Sequence, residues 1–225
     1  MSAAGSARSN RTLGGLIRDA MVFSVFNRKH KFLPQGNLND LVTEDFIIWA
    51  FYKSENHPSL TPSLQSVIGF ILTKAKKIFA IFVLIGLKGP ALYRLTVFLF
   101  ERGICDDRLP FEESKLKEFH PSRKLEEDTR GMRLNQDVSE DETWTEDQVS
   151  NFVDQQWKFC SPAFSTLKEN HDIDSQAILP FTEKHACSAA EGAFGEVMKY
   201  KIHQSHLDTC GLVSNSLSKH DLSQC

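Results

Sequence analysis

The residues best placed to do chemistry lie in the run Glu191-Gly192-Ala193-Phe194-Gly195-Glu196-Val197-Met198-Lys199. Glycine reaches backbone angles closed to other residues, and without a Cβ it lets N–H groups close on an anion. Gly192 and Gly195 stand three apart, Phe194 sits between them at a loop tip, and Val197 follows two residues later. That spacing suits a loop that lays backbone N–H groups over phosphates and a branched apolar side chain on a planar base. Gly192, Ala193, Phe194, Gly195 and Val197 are therefore the candidate cofactor-binding residues. Where a G-x-G-x-x-G-x-V loop carries its first glycine this chain has Ala190, which narrows the backbone angles there. An ordinary β-hairpin with two turn glycines satisfies the same run.

Two other constellations carry less. His203, His206 and Cys210, with His220 and Cys225 further on, are metal-ligand types. Zinc wants four ligands in tetrahedral geometry, usually two tight pairs on a scaffold, and no such scaffold is legible here. The end of a strand and its loop explains the histidines more simply. Cys187 lies two residues from His185, on one face of an extended chain, but neither a cationic group nor a helix N-terminus is there to activate a thiol. No catalytic residue and no metal ligand is assigned.

The elements that must position the glycine run are short and extended. Ile178-Leu179-Pro180-Phe181 leads in, and Val197, Met198, Tyr200 and Ile202 lead out among Lys199 and Lys201. Strand, glycine turn and strand is the expectation for residues 175–210. An isolated hairpin is marginal in water, so its apolar side is expected to lack proper cover. The tail 211–225 is Ser-rich and reads as disordered.

Upstream the pattern is helical. Residues 1–40 read as a basic, partly flexible N-terminus. Residues 41–111 read as a helical domain, 112–143 as a charged linker, and 144–160 as one further helix. Within 41–111 three helices are expected. The first runs from Thr43 to Tyr52, with Thr43 as cap and Glu44 and Asp45 in the first turn. The second starts at Thr61-Pro62 and continues through apolar residues at threes and fours to Val83. The third runs from Pro90 to Ile104, broken near Gly103. Thr145-Glu146-Asp147-Gln148 has the form of a capping box, with Trp144 and Val149 as its hydrophobic staple.

The totals bound the class. The chain has 225 residues, 41% apolar and 24% charged, with 17 Phe and a net charge of −3. These are globular proportions, and the charge implies no general attraction to nucleic acid or an anionic membrane. The apolar run 78–87 lies between Lys77 and Lys88. It is about half the roughly 20 residues a spanning helix needs, so it reads as a core helix. Five scattered cysteines, an odd number without C-x-x-C, read as reduced thiols in an intracellular, cytoplasmic setting. The basic stretch 1–31 faintly resembles a mitochondrial presequence, but a basic flexible terminus is the reading adopted.

Several segments in order resemble a group of kinase-domain proteins from filamentous fungi. These are Leu16-Ile17-Arg18-Asp19-Ala20, Phe32-Leu33-Pro34, Leu41-Val42-Thr43, Ala75-Lys76-Lys77-Ile78-Phe79-Ala80, Leu109-Pro110-Phe111, Gln156-Trp157, Ile178-Leu179-Pro180-Phe181, and 192–203. Such proteins carry a helical region before a serine/threonine-kinase-like domain. The resemblance implies a kinase N-lobe hairpin at 175–210, with ATP and Mg as cofactors. It implies phosphoryl transfer in the complete family. The chain departs from the pattern in having no H-R-D and no D-F-G, and Lys219 lies in Ser-rich rather than strand-like context. A truncated, inactive, pseudokinase-like fragment of mainly α fold is the expectation. The alternative is a non-enzymatic helical module that binds a protein partner through residues 41–111 and 144–160, unaffected by loss of residues 175–225.

Overall fold

Thr12 opens the first helix, α1 (Leu13–Asp19), by accepting a hydrogen bond from the Gly15 N–H at 3.2 Å. The computed structural model describes residues 12–26, 29–52, 62–119, 144–165, 172–185 and 198–208. Leu13 and Ile17, one helical turn apart, are buried. From residue 12 onward, then, the segment read as a flexible basic terminus supplies part of the core. Its mean composition hides an apolar stripe only two residues wide. A short antiparallel ladder follows, β1 (Val22–Phe23) with β2 (Lys31–Phe32), then α2 (Asn37–Leu41) after a left-handed Gly36.

The helical expectations hold in type and differ in one boundary that matters. Helix α3 (Glu44–Tyr52) begins after Thr43 as expected. Helix α4 (Pro62–Lys74) begins at Pro62, while Thr61, its expected cap, lies outside the described residues. The continuous second helix is divided at Ala75 (φ −135°, ψ 30°), and α5 (Lys76–Leu84) continues beyond it. Neither Pro nor Gly marks the break. Asp106 does the work from a distance: its carboxylate accepts from the Lys77 and Ile78 N–H groups at 2.9 and 3.0 Å. Those two donors are orphans of a helix start, and a carboxylate also suits the positive end of the helix dipole. Helix α6 (Gly89–Arg102) ends at Gly103, whose φ of 60° is the left-handed C-terminal stop.

Helix α5 is the centre. Residues Ile78 to Phe82 are all buried, and α1, α4, α6 and a later helix, α8 (Glu146–Gln156), pack around them. The apolar run 78–87 is thus a core helix, and no helix among the described residues is long and apolar enough to cross a membrane. On α8 both halves of the capping box form, Gln148 N–H to Thr145 Oγ1 and Thr145 N–H to Gln148 Oε1. Trp144 and Phe152 pack on Phe82 with ring centroids 5.4 and 5.6 Å away.

The start of the charged linker is folded. Helix α7 (Glu113–Lys117) buries Leu116, and Phe119 packs against Phe98 and Phe111. Charged residues dominate this stretch by count, but two apolar ones suffice to dock it. The buried Gln156 clasps the segment just before α7, its amide accepting from Phe111 N at 2.7 Å and donating to Phe111 O at 3.0 Å. The rest of the linker, 120–143, lies outside the described residues. Eight helices against three two-stranded ladders make the described fold mainly α.

Two substitutions separate the core from the cap. Phe82→Ala should destabilise by about 3–5 kcal/mol, the usual cost of emptying a buried aromatic site. Asp106→Ala should cost about 1–2 kcal/mol, as for loss of a helix cap, and Asp106→Asn less because one acceptor remains. Urea unfolding followed by far-UV circular dichroism measures both, and an Asp106→Ala midpoint equal to wild type would remove the capping account.

Candidate functional site

All five candidate residues, Gly192, Ala193, Phe194, Gly195 and Val197, lie outside the described residues, as do Ala190, Cys187 and Cys210. What the structure gives is the pair of strands on either side. Strand β4 (Phe181–His185) pairs antiparallel with β5 (Lys199–Ile202), Phe181 opposite Ile202 and His185 opposite Lys199. The two expected strands on either side of the glycine run are therefore paired. An irregularity at Thr182 sets one extra residue into β4. Its hydroxyl donates to the Lys201 carbonyl at 3.3 Å.

The hairpin is only partly covered: Phe181 and Tyr200 stay half-buried, and Phe26, which meets both, is 61% exposed. Phe181 and Tyr200 stack with centroids 5.0 Å apart and planes 16° apart. Phe164, on β3 (Phe164–Ser165), stacks on Phe181 at 6.0 Å. Phe26 meets both Phe181 and Tyr200 edge-on. The Val25 N–H donates to the Phe181 carbonyl at 2.8 Å, so β4 is tied to the chain after β1. That cover comes from two other stretches of chain, at Val25 and Phe26 and at Phe164, which no local pattern could announce. On the outer face Lys201 pairs with Glu183 at 2.7 Å. That bond holds the Glu183 carboxyl below its usual range, but the pair is exposed and contributes little.

The far end of the hairpin is pinned by a histidine. After β5 the chain makes a 3₁₀ turn, Gln204–His206, and then β6 (Leu207–Asp208) runs parallel to β3. His206 is buried. Its Nε2 lies 3.3 Å from the Gln35 N–H that donates to it, and its Nδ1 lies 3.0 Å from the Pro162 carbonyl. Those partners fix the tautomer: the proton sits on Nδ1 and the ring is neutral. Phe32 meets the His206 ring edge-on at 5.3 Å. His203 accepts from the Ser205 N–H through Nδ1, which makes it a turn cap. Both histidines are thus explained by structure, and no cluster of metal-ligating side chains occurs among the described residues.

Between Thr182, Tyr200, Lys201, His203 and Leu207 lies an open cleft of about 500 Å³. It is walled by hydroxyl, imidazole and ammonium groups as well as by apolar side chains. Cys160 is a poor nucleophile, because burial pushes its thiol up to about 11. Sequence reasoning missed His206 as a structural keystone. The signal was present only as a histidine in a histidine-rich stretch. No protein-family model, curated protein or solved structure matches the chain.

Burial pushes the His206 imidazole below its ordinary range, helped by the charges of His203 and Lys77 and opposed by the Pro162 carbonyl. The unfolded chain then binds more protons than the folded one below about pH 6.5. His206 therefore contributes full stability above that pH, and the contribution is lost as pH falls toward the folded value. Thermal melts should show Tm falling between pH 7 and pH 5, and His206→Gln should be less stable at pH 7 with a flatter pH dependence. A variant whose pH dependence matches wild type would clear His206 of the effect.

Proposed function

We propose that residues 175–210 are the first hairpin of a nucleotide-binding lobe, in a chain similar to the kinase-domain proteins of filamentous fungi. In this reading the backbone N–H groups of Gly192, Ala193, Phe194 and Gly195 face the phosphates of ATP, and Val197 packs against the adenine. One observation carries it: β4 and β5 are antiparallel partners, so the glycine run is the connection of a hairpin. Magnesium would enter with the nucleotide and supply charge neutralisation at the phosphates. The chain's own residues bind and orient and are given no part in phosphoryl transfer, since the sequence holds neither H-R-D nor D-F-G.

A second reading is a helical module that binds a protein partner without nucleotide. It is supported by Trp49 on α3 and Phe100 on α6, which are 40% and 39% exposed. Large aromatics left in water on a packed helical body suit a contact surface.

Thermal stability with Mg-ATP distinguishes the two. Binding to the folded state must raise Tm, by about 2.7 kcal/mol of stability at a hundredfold excess over Kd. The hairpin reading expects such a rise, abolished by Gly195→Asp, which sets a carboxylate where phosphates would lie. An unchanged melt at millimolar Mg-ATP would end that reading and leave the helical module.

A further inference from the structure

The cleft beside β5 is rich in hydrogen-bond donors, and among the described residues no carboxylate lines it. Lys201 and His203 stand two apart on extended backbone, so they share a face of the ladder. Glu183, opposite Lys201 on β4, accepts one ammonium N–H bond at 2.7 Å, and two further donors of Lys201 remain. His203 Nδ1 accepts from the Ser205 N–H, so the neutral ring carries its proton on Nε2. That N–H has no partner among the described residues. The Tyr200 hydroxyl and the Gln204 amide also belong to lining residues and likewise have none there.

The rest of the wall is apolar. Leu207 is 37% exposed, and Ile202 is half-buried. The chain between them is held from below. Buried His206 joins the Gln35 N–H at 3.3 Å and the Pro162 carbonyl at 3.0 Å, which fixes the turn that carries Gln204 and Leu207. The Thr182 hydroxyl ties β4 to the Lys201 carbonyl at 3.3 Å. Walls fixed in advance lose little freedom when a ligand arrives. A volume of about 500 Å³ falls in the usual range of small-molecule clefts. Charge then selects the class. One ammonium, already shared with Glu183, balances a single negative charge and is too little for a dianion. A carboxylate gains charge-assisted bonds from Lys201 and accepts from the neutral donors, and an apolar body attached to it covers Leu207 and Ile202.

We propose that this cleft binds a small monocarboxylate that carries an apolar group, with Lys201, His203 and Gln204 on the carboxylate and Leu207 and Ile202 on the apolar body. Phe181 and Ile202 close the end of the strand pair away from the glycine run, so the cleft and the nucleotide reading stand apart.

The test is a titration of the full chain with benzoate, followed by amide ¹H–¹⁵N spectra at pH 7 and constant ionic strength. Saturable shifts are expected at residues 200–204 and 207. Acetate, which lacks the apolar body, and benzamide, which lacks the charge, should each bind at least about tenfold more weakly. Lys201→Gln should weaken benzoate binding by about the same factor. Glu183→Gln removes the competing carboxylate and should tighten it. Both side chains are exposed and their pairing contributes little to stability, so neither variant is expected to unfold the chain. Shifts that fail to saturate, acetate or benzamide binding as tightly as benzoate, or a Kd that does not move in opposite directions in the two variants would overturn the proposal.

Discussion

Everything in the described structure depends on a helix that is surrounded by protein and whose ends must nonetheless be satisfied. Helix α5 presents apolar side chains all round, so it can only sit at the centre. Its first N–H groups and last carbonyls have no partners within the helix. Both ends are completed by residues far away in sequence. Asp106 accepts from Lys77 and Ile78 at the start, and Arg18 donates to the Leu84 carbonyl at the end. Burial pushes the Asp106 carboxyl up, against the pull of the two N–H groups it accepts. The break at Ala75 is the consequence. It frees the donors that Asp106 takes, and it lets α4 and α5 pack on different neighbours.

The second dependence runs from the helical body to the hairpin. Phe32, Leu33 and Gln35 lie in one short stretch, yet between them they reach two separate parts of the later chain. Phe32 meets the His203 and His206 rings. Leu33 N–H holds Lys158, and Gln35 N–H holds His206. Phe32 is fully buried by these contacts. Removal of residues 175–225 would therefore uncover a core aromatic and leave backbone donors without their acceptors. The division into an autonomous helical module and a dispensable hairpin, natural from the sequence, does not match this packing.

The same stretch bears on function. The Phe181 and His206 anchors both lie at the end of the strand pair away from the glycine run.

How much of this was legible follows the range of the interactions. The sequence by itself determined the mainly α class, the starts of α3, α4 and α8, the stop at Gly103, and the pairing of strands around the glycines. Each of these rests on residues within a few positions of one another: the Thr145–Gln148 box, Pro62 in a first turn, a left-handed glycine, an apolar alternation. The candidate site was legible only as a pattern, Gly192 to Val197 between two extended runs. The tertiary structure alone decided the break at Ala75, the partial cover over Phe181 and Tyr200 and the neutral tautomer of His206. Each of these needs partners well beyond a helical turn, such as Phe164 for Phe181 or Gln35 for His206, and a hydrogen bond or a packed ring is set by where the chain folds back, which no local periodicity encodes.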